Sequence, residues 1–395
     1  MDKHIRIVLL ISRFDIEGGG GGLSRFAMTL SRALDRERFQ PVLCALWDRG
    51  TPVEAAHIAQ LQKDGIEAFA CAPWDEQHPY RSFARAYRGL RAALRQKPAD
   101  ILHSHSEFSD MAVVFLKLEG KAPRMVRTLH NELRVEWKRR PLRRLVFTQF
   151  LDPLLFDVEI GVSQFIKQNL EGRWLAQRLR RQALAIHNAL DTRRFHGEIS
   201  KRESLRRELG IPPEAYVVGS VGRLCEQKGY DVLVAAAAEI HQTAPDMRFL
   251  IVGEGEAASA LQQQATGLGI ADQVTFTGRR SDVEDVLMAM DLFVCSSRWE
   301  GLSTVMMEAM AAGIPIVATD IPGNRELLRS DENAWFIPAE DAPALTAAVL
   351  NAQRNPELGR RYAWQAQSDV QAFGIDQVAA RHMQLYQQLV NRKSK

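Results

Sequence analysis

Two carboxylates, Glu300 and Glu308, stand eight residues apart in the segment EGLSTVMMEAMAAG, residues 300–313. A carboxylate accepts hydrogen bonds from paired hydroxyls, such as those of a ribose or another sugar. The flanking runs DLFVCSS (291–297) and IPIVATD (314–320) read as buried parallel strands. The segment between them is therefore a turn that becomes a helix, and Glu300 stands at the carboxyl end of a strand. That edge is where open α/β sheets bind ligands. The amides of Leu302, Ser303 and Thr304, just after Gly301, point outward from a helix N-terminus, an arrangement that favours anions. Glu308 lies about two turns further along. Taken alone, the same spacing also fits a loop-end acid and a solvated helix position.

The run VVGSVGRLCEQKGYDVLVAAAA begins at Val217 and has the same logic. A β-rich stretch ends at Gly222, and helical composition resumes at Asp231. The turn between them carries Arg223 and Lys228, closed by Gly229. A planar guanidinium and a mobile ammonium at a strand-to-helix turn suit a diphosphate.

Together the GR-x(4)-KG turn and the E-x(7)-E segment resemble the retaining glycosyltransferases of family 4. RFLIVGEG (248–255), VTFTGR (274–279) and GIPIVATDIPGNREL (313–327) follow the same family's order. The resemblance covers essentially all of residues 198–374. It implies the GT-B fold: two Rossmann-like, doubly wound α/β domains facing across a cleft. It also implies that Arg223 and Lys228 stabilise a departing diphosphate, Glu300 accepts from sugar hydroxyls and Glu308 holds a ribose. Arg279 and the backbone around Gly253 and Gly255 would flank the base.

The amino-terminal half follows the family less tightly. The apolar run IRIVLLIS (5–12) reads as a buried strand, followed by five glycines, 18–22, and a helix from about Leu23. Such a turn lets backbone amides approach a phosphate, with Gly21 and Gly22 nearest the helix. No Lys-Ser/Thr pair follows, so it is not a Walker loop. ADILHSHS (99–106) and PRMVRTLHNE (123–132) are two further strands ending in histidine. The resemblance places His130 beside the donor sugar and His105 in the acceptor cleft; each also fits an ordinary turn residue. IHNALDTRRF (186–195) matches a junction segment of the family, with Ala189 where glycine is usual.

The elements that must position these groups are legible. Strands are predicted near 5–12, 40–47, 66–71, 100–104, 124–129, 157–162 and 183–187, with a helix over 82–96. A second set falls near 216–222, 248–253, 273–277, 291–296, 314–319 and 333–337. This βα alternation predicts doubly wound sheets. The strand sets predict two domains, 1–197 and 198–374, joined by a charged linker around 197–202, and the resemblance implies that the first binds the acceptor and the second the donor. The resemblance also implies a last helix that crosses back onto the first domain, and the amphipathic stretch 376–390 is the candidate for it.

At 395 residues the chain is too long for one common core. Its 46% hydrophobic and 25% charged residues are those of a soluble protein. The four cysteines, Cys44, Cys71, Cys225 and Cys295, show no metal spacing and read as reduced, with Cys225 the exposed one. No secretory signal and no span of roughly 20 apolar residues is visible, which predicts a cytoplasmic protein. Residues 1–195 carry 32 Lys and Arg against 22 Asp and Glu, while the remainder is acidic. The densest basic run holds Arg134, Lys138, Arg139, Arg140, Arg143 and Arg144, interleaved with Trp137, Leu142 and Phe147. It fits a helix lying on the anionic inner face of a membrane, and equally a solvated basic helix. No nucleic-acid module is present.

The function implied is a retaining, metal-independent glycosyltransferase without a cofactor. It would take a nucleotide-sugar donor and a glycan or lipid-linked acceptor, in cell-surface polysaccharide or glycolipid synthesis. A non-catalytic nucleotide-sugar binding module and a nucleotide-sugar 2-epimerase of the same architecture stay open as alternatives.

Overall fold

The computed structural model describes residues 4–14, 21–120, 123–131, 145–195 and 199–391. The chain forms two compact units. One takes the described residues up to Ala189 together with those from Ile375 onward; the other takes Leu190–Gly374.

The first unit is built on seven strands: β1 (Ile5–Ile11), β2 (Phe39–Asp48), β3 (Glu67–Pro73), β4 (Ile101–Ser104), β5 (Arg124–Leu129), β6 (Val158–Gly161) and β7 (Leu184–Ala185). They lie in the order β3-β2-β1-β4-β5-β6-β7, and every pairing is parallel. Alternation along β1 explains why the sheet is covered on both faces. Ile7, Leu9 and Ile11 enter a core with Phe26, Leu30 and Tyr386. Val8 and Leu10 enter another with Ala86, Leu90 and Val113. The first of these cores includes Val378, Ala379, Tyr386 and Leu389 of the last helix, Ile375–Asn391.

The second unit holds β8 (Val217–Val221), β9 (Arg248–Val252), β10 (Val274–Gly278), β11 (Leu292–Cys295), β12 (Ile316–Thr319) and β13 (Trp335–Ile337). Their order is β10-β9-β8-β11-β12-β13. In each sheet the chain order reverses beside the first strand, between β1 and β4 and between β8 and β11. Ligand crevices in doubly wound sheets form at that point.

Beneath β4–β6, on the face away from the last helix, lies a buried ionic network. Arg127 pairs with Asp152 and reaches Asp110 at 3.8 Å and Glu159 at 3.6 Å. Arg173 also pairs with Glu159, and Ser104 donates to Asp110 at 2.5 Å. Burial pushes the Asp110 carboxyl up to about 7 despite Arg127.

Two expectations are corrected. The segment expected as a charged linker is helical from Ile199, in a helix reaching Glu208. It is tied down because Arg202 and Arg206 both bind Asp291, at 2.6 and 2.7 Å. Cys225 is not the one accessible thiol: Cys71 is also half-buried, and its sulfur lies 3.3 Å from that of Cys44 on the neighbouring strand. The glycines 18–20 and the basic run 134–144 lie outside the described residues.

Candidate active site

The turn after β8 and the turn after β11 are fastened together. Gly229 has φ +62°, a left-handed conformation, and a Cβ built there would collide with the carbonyl oxygen of Ser296. Only glycine permits that approach. Ser296 Oγ donates to the Lys228 carbonyl at 3.0 Å. Gln227 Nε2 donates to the Trp299 carbonyl at 3.0 Å, and the Arg298 amide donates to the Gln227 carbonyl at 2.8 Å.

This fastening brings Lys228 to Glu300. Lys228 Nζ lies 2.5 Å from Glu300 Oε1, which also accepts from Ser297 Oγ at 2.7 Å. Burial opposes the ammonium charge, but the Glu300 carboxylate outweighs it and holds Lys228 above the usual lysine range. Arg223 is half-exposed at the mouth of the same turn, 3.0 Å from Glu256.

Gly301 and Leu302 are buried and lead into the helix Thr304–Ala311. Ser303 is its N-cap residue, but its hydroxyl caps nothing. Its Oγ is buried without a hydrogen-bond partner among the described residues. Ser303 thus leaves the first turn without the usual cap from its own N-cap side chain, and a helix start of this kind suits an anionic acceptor. Glu308 is on this helix, one turn beyond Thr304, and is 5% exposed, so it is not a solvated position.

The turn after β9 packs on the turn after β8. Cβ atoms at Gly253 and Gly255 would collide with the carbonyl oxygens of Gly222 and Leu224. These glycines thus have a demonstrable packing role, and their backbone lies at the same sheet edge. Arg279 follows β10 directly and is half-buried.

In the first unit Gly21 and Gly22 are the opening residues of the helix Gly21–Ala33, after β1. His105 follows β4 and His130 follows β5. The structure brings the two together: His105 Nδ1 lies 3.3 Å from His130 Nε2, and His130 Nδ1 lies 3.1 Å from Asn188 Oδ1. Burial lowers His130 to about 4, against the partial support of Asn188. His103 and His382 join the group. His103 binds Tyr386 OH at 2.6 Å and Thr128 Oγ1 at 2.7 Å.

Several contributors carry no obvious mark in the sequence. Asn324 donates to the Thr319 carbonyl at 2.9 Å, and Thr319 Oγ1 donates to the Ser297 carbonyl at 2.6 Å, bracing the Glu300 turn from behind. Arg298 grips Asp231 at 2.9 and 2.7 Å. The only sequence signal is their place in the runs just after β11 and β12, where turns meet a ligand edge.

Residues 20–194 match the family described as Glycosyltransferase Family 4, and residues 201–369 match that described as Glycosyl transferases group 1. The lipopolysaccharide core biosynthesis mannosyltransferase LpsB of Rhizobium meliloti is 32% identical over 213 residues, 52% of this chain and 60% of that protein. The UDP-Gal:alpha-D-GlcNAc-diphosphoundecaprenol alpha-1,3-galactosyltransferase of Escherichia coli is 26% identical over 355 residues, 88% of this chain and 86% of that one. Among solved structures, Anabaena HepE in complex with UDP-glucose aligns with a TM-score of 0.80 at 22% identity, covering 97% of this chain and 100% of that one. The chain thus spans under two thirds of the first relative's length and most of the second's. With two parallel α/β units in this strand order and both halves matched in sequence, the chain belongs to the family 4 glycosyltransferases and has the GT-B fold.

Proposed function

We propose that the protein moves a hexose from a nucleoside-diphosphate sugar to a glycan or lipid-linked acceptor, in the assembly of a cell-surface polysaccharide or glycolipid. Transfer proceeds with retention of configuration and without a metal. The observation that carries this reading is the Lys228–Glu300 clasp beside the uncapped helix at Ser303. It sets a cation, a carboxylate and helix amides at one sheet edge. A nucleoside diphosphate leaves with negative charge growing on its β-phosphate, and preorganised cations and amides stabilise that charge. Lys228, Arg223 and the amides of Gly301 to Thr304 serve this need. Glu300 receives hydroxyls of the transferred sugar, and Glu308 those of the ribose. The acceptor attacks from the face the diphosphate leaves, and a phosphate oxygen takes its proton. A relative that uses UDP-galactose and one named a mannosyltransferase support a hexose and a glycolipid product.

An anionic membrane surface is the partner we propose alongside the acceptor. Phe150, Leu154, Trp174 and Leu179 are exposed, and the Phe150 and Trp174 rings lie 5.6 Å apart. Phe150 and Leu154 follow the basic run closely in sequence, and exposed apolar residues beside basic ones seat a protein in a lipid interface. No helix among the described residues is long and apolar enough to cross a membrane.

A thermal-shift series with UDP-, GDP- and ADP-sugars, followed by release of nucleoside diphosphate from the stabilising donor, tests the reading. A ligand that binds only the folded state raises the melting temperature. Stabilisation with neither hydrolysis nor transfer, across a range of glycan and lipid-linked acceptors, would identify a binding module instead.

A further inference from the structure

Four histidines gather at the carboxyl edge of the first sheet. The Phe26 ring meets His105, His130 and His382 at centroid distances of 5.8, 5.5 and 5.9 Å. His103 lies over His105 at 4.2 Å. Their hydrogen bonds fix who holds each proton. Asn188 turns Oδ1 toward His130 Nδ1, and an amide oxygen only accepts. His130 Nδ1 therefore carries the ring proton, and because the ring is neutral its Nε2 is bare. That bare nitrogen accepts from His105 Nδ1. His105 is then protonated on Nδ1 and bare on Nε2. The latter atom is buried and has no partner among the described residues.

We propose that Asn188 is a positioning residue that imposes one tautomer along the row Asn188–His130–His105. The row ends in a bare His105 Nε2 that accepts a hydroxyl of the substrate's uncharged, sugar-bearing part. A neutral ring with a lone pair offers nothing to a phosphate, which has no proton to give at neutral pH, but it pairs with an alcohol. The row thus suits an uncharged, hydroxyl-bearing part of a ligand and not a phosphate. His105 and, from the helix Gly21–Ala33, Phe26 meet the His130 ring, while His382 of the last helix and His103 of β4 are close enough to be coupled to it by charge. The ligand half of this inference rests on the function proposed above; the tautomer half does not.

Long-range proton–nitrogen NMR of protein labelled with ¹⁵N-histidine tests both halves on the intact chain. Signals are assigned with His105→Gln and His130→Gln. In the wild type, His130 and His105 should each show a protonated Nδ1 and a bare Nε2. Asn188→Asp puts a carboxylate in the same place and should raise the His130 titration by about 1–3 pH units. A protonated His105 Nε2 in the wild type, or an unchanged His130 titration in a folded Asn188→Asp protein, overturns the tautomer row. UDP-glucose or another stabilising sugar nucleotide should shift His105 Nε2, and the free nucleoside diphosphate should not. An equal response to both overturns the ligand half. Correct tautomers with no response to any sugar nucleotide would sink the ligand half and count against the proposed function, while the row itself stands.

Discussion

Lys228 and Glu300 are 72 residues apart in sequence and 2.5 Å apart in space. Neither reaches the other without the glycine at 229, which lets one turn lie on the other. Glu300 is 5% exposed, so Lys228 is its counter-charge as well as a phosphate ligand. Removing one member of a buried pair typically costs about 3–5 kcal/mol of stability, because the other is left uncompensated. Lys228→Ala should therefore lose stability near the lower end of that range, and in addition about 2–4 kcal/mol in kcat/KM. Arg223→Ala should lose comparable activity with a stability change within about 0.5 kcal/mol, since its side chain is half-exposed. Urea melts and donor hydrolysis on both variants separate the two effects. Equal destabilisation by both would count against the clasp.

Gly229→Ala should destabilise by at least about 1–2 kcal/mol from the left-handed backbone alone, with a further cost from moving the Ser296 carbonyl. Donor-dependent thermal stabilisation should fall with it. A variant that melts and binds like the wild type would show that the two turns tolerate separation.

Glu308→Gln should weaken the free nucleoside diphosphate by about 1.5–3 kcal/mol, the usual worth of a hydrogen bond to a charged group. Glu300→Gln should impair transfer more than diphosphate binding. Calorimetry with the diphosphate alone decides it: a larger affinity loss in Glu300→Gln reverses the assigned roles.

Acid should destabilise the first unit. Burial holds His130 and His382 down at about 4, and His103 and His105 well below the usual imidazole range. An unfolded histidine titrates near about 6.5. Between those values the unfolded chain binds protons that the folded chain refuses. Stability is thus full above about pH 6.5 and falls as the pH drops toward 4, by on the order of 3 kcal/mol for a histidine at the lower value. Asp110, pushed up to about 7, and Asp152, also raised, act in the opposite direction. Four groups oppose two, so the net effect is a loss in acid. Urea midpoints at pH 7.5 and 5.0 measure it, and His382→Gln should lessen the difference.

Activity should survive excess EDTA, because Lys228, Arg223 and helix amides are assigned the positive field. Loss of activity with EDTA, restored by magnesium or manganese, would overturn that assignment.

The sheets were legible because a parallel strand buried on both faces leaves a continuous apolar run, as in Ile5–Ile11. Each observed strand overlaps one predicted from the sequence. The turns bearing Arg223, Lys228, Glu300 and Glu308 were legible because Gly and charge interrupt those runs. What stayed hidden depends on distant pairings. Nothing local marks Lys228 as the partner of Glu300, or His103 as the partner of Tyr386, 283 residues away. The ionic network of Arg127 looks, in sequence, like five ordinary surface charges. Helix starts were also blurred: the helix Pro79–Gln96 begins three residues before the predicted start, with proline at its first position.

The last helix carries a consequence for how the protein is made. Tyr386, Val378 and Leu389 complete the core that β1 and β4 begin, and Tyr386 satisfies His103 in its interior. A chain emerging from the ribosome exposes β1 long before it can supply this helix, because all of Leu190–Gly374 is made between them. Domains generally fold as units during synthesis, and the second unit, Leu190–Gly374, is contiguous. It can close while the first still lacks a wall. The first unit therefore begins before the second and closes after it, with an apolar face open to chaperones until the helix Ile375–Asn391 arrives.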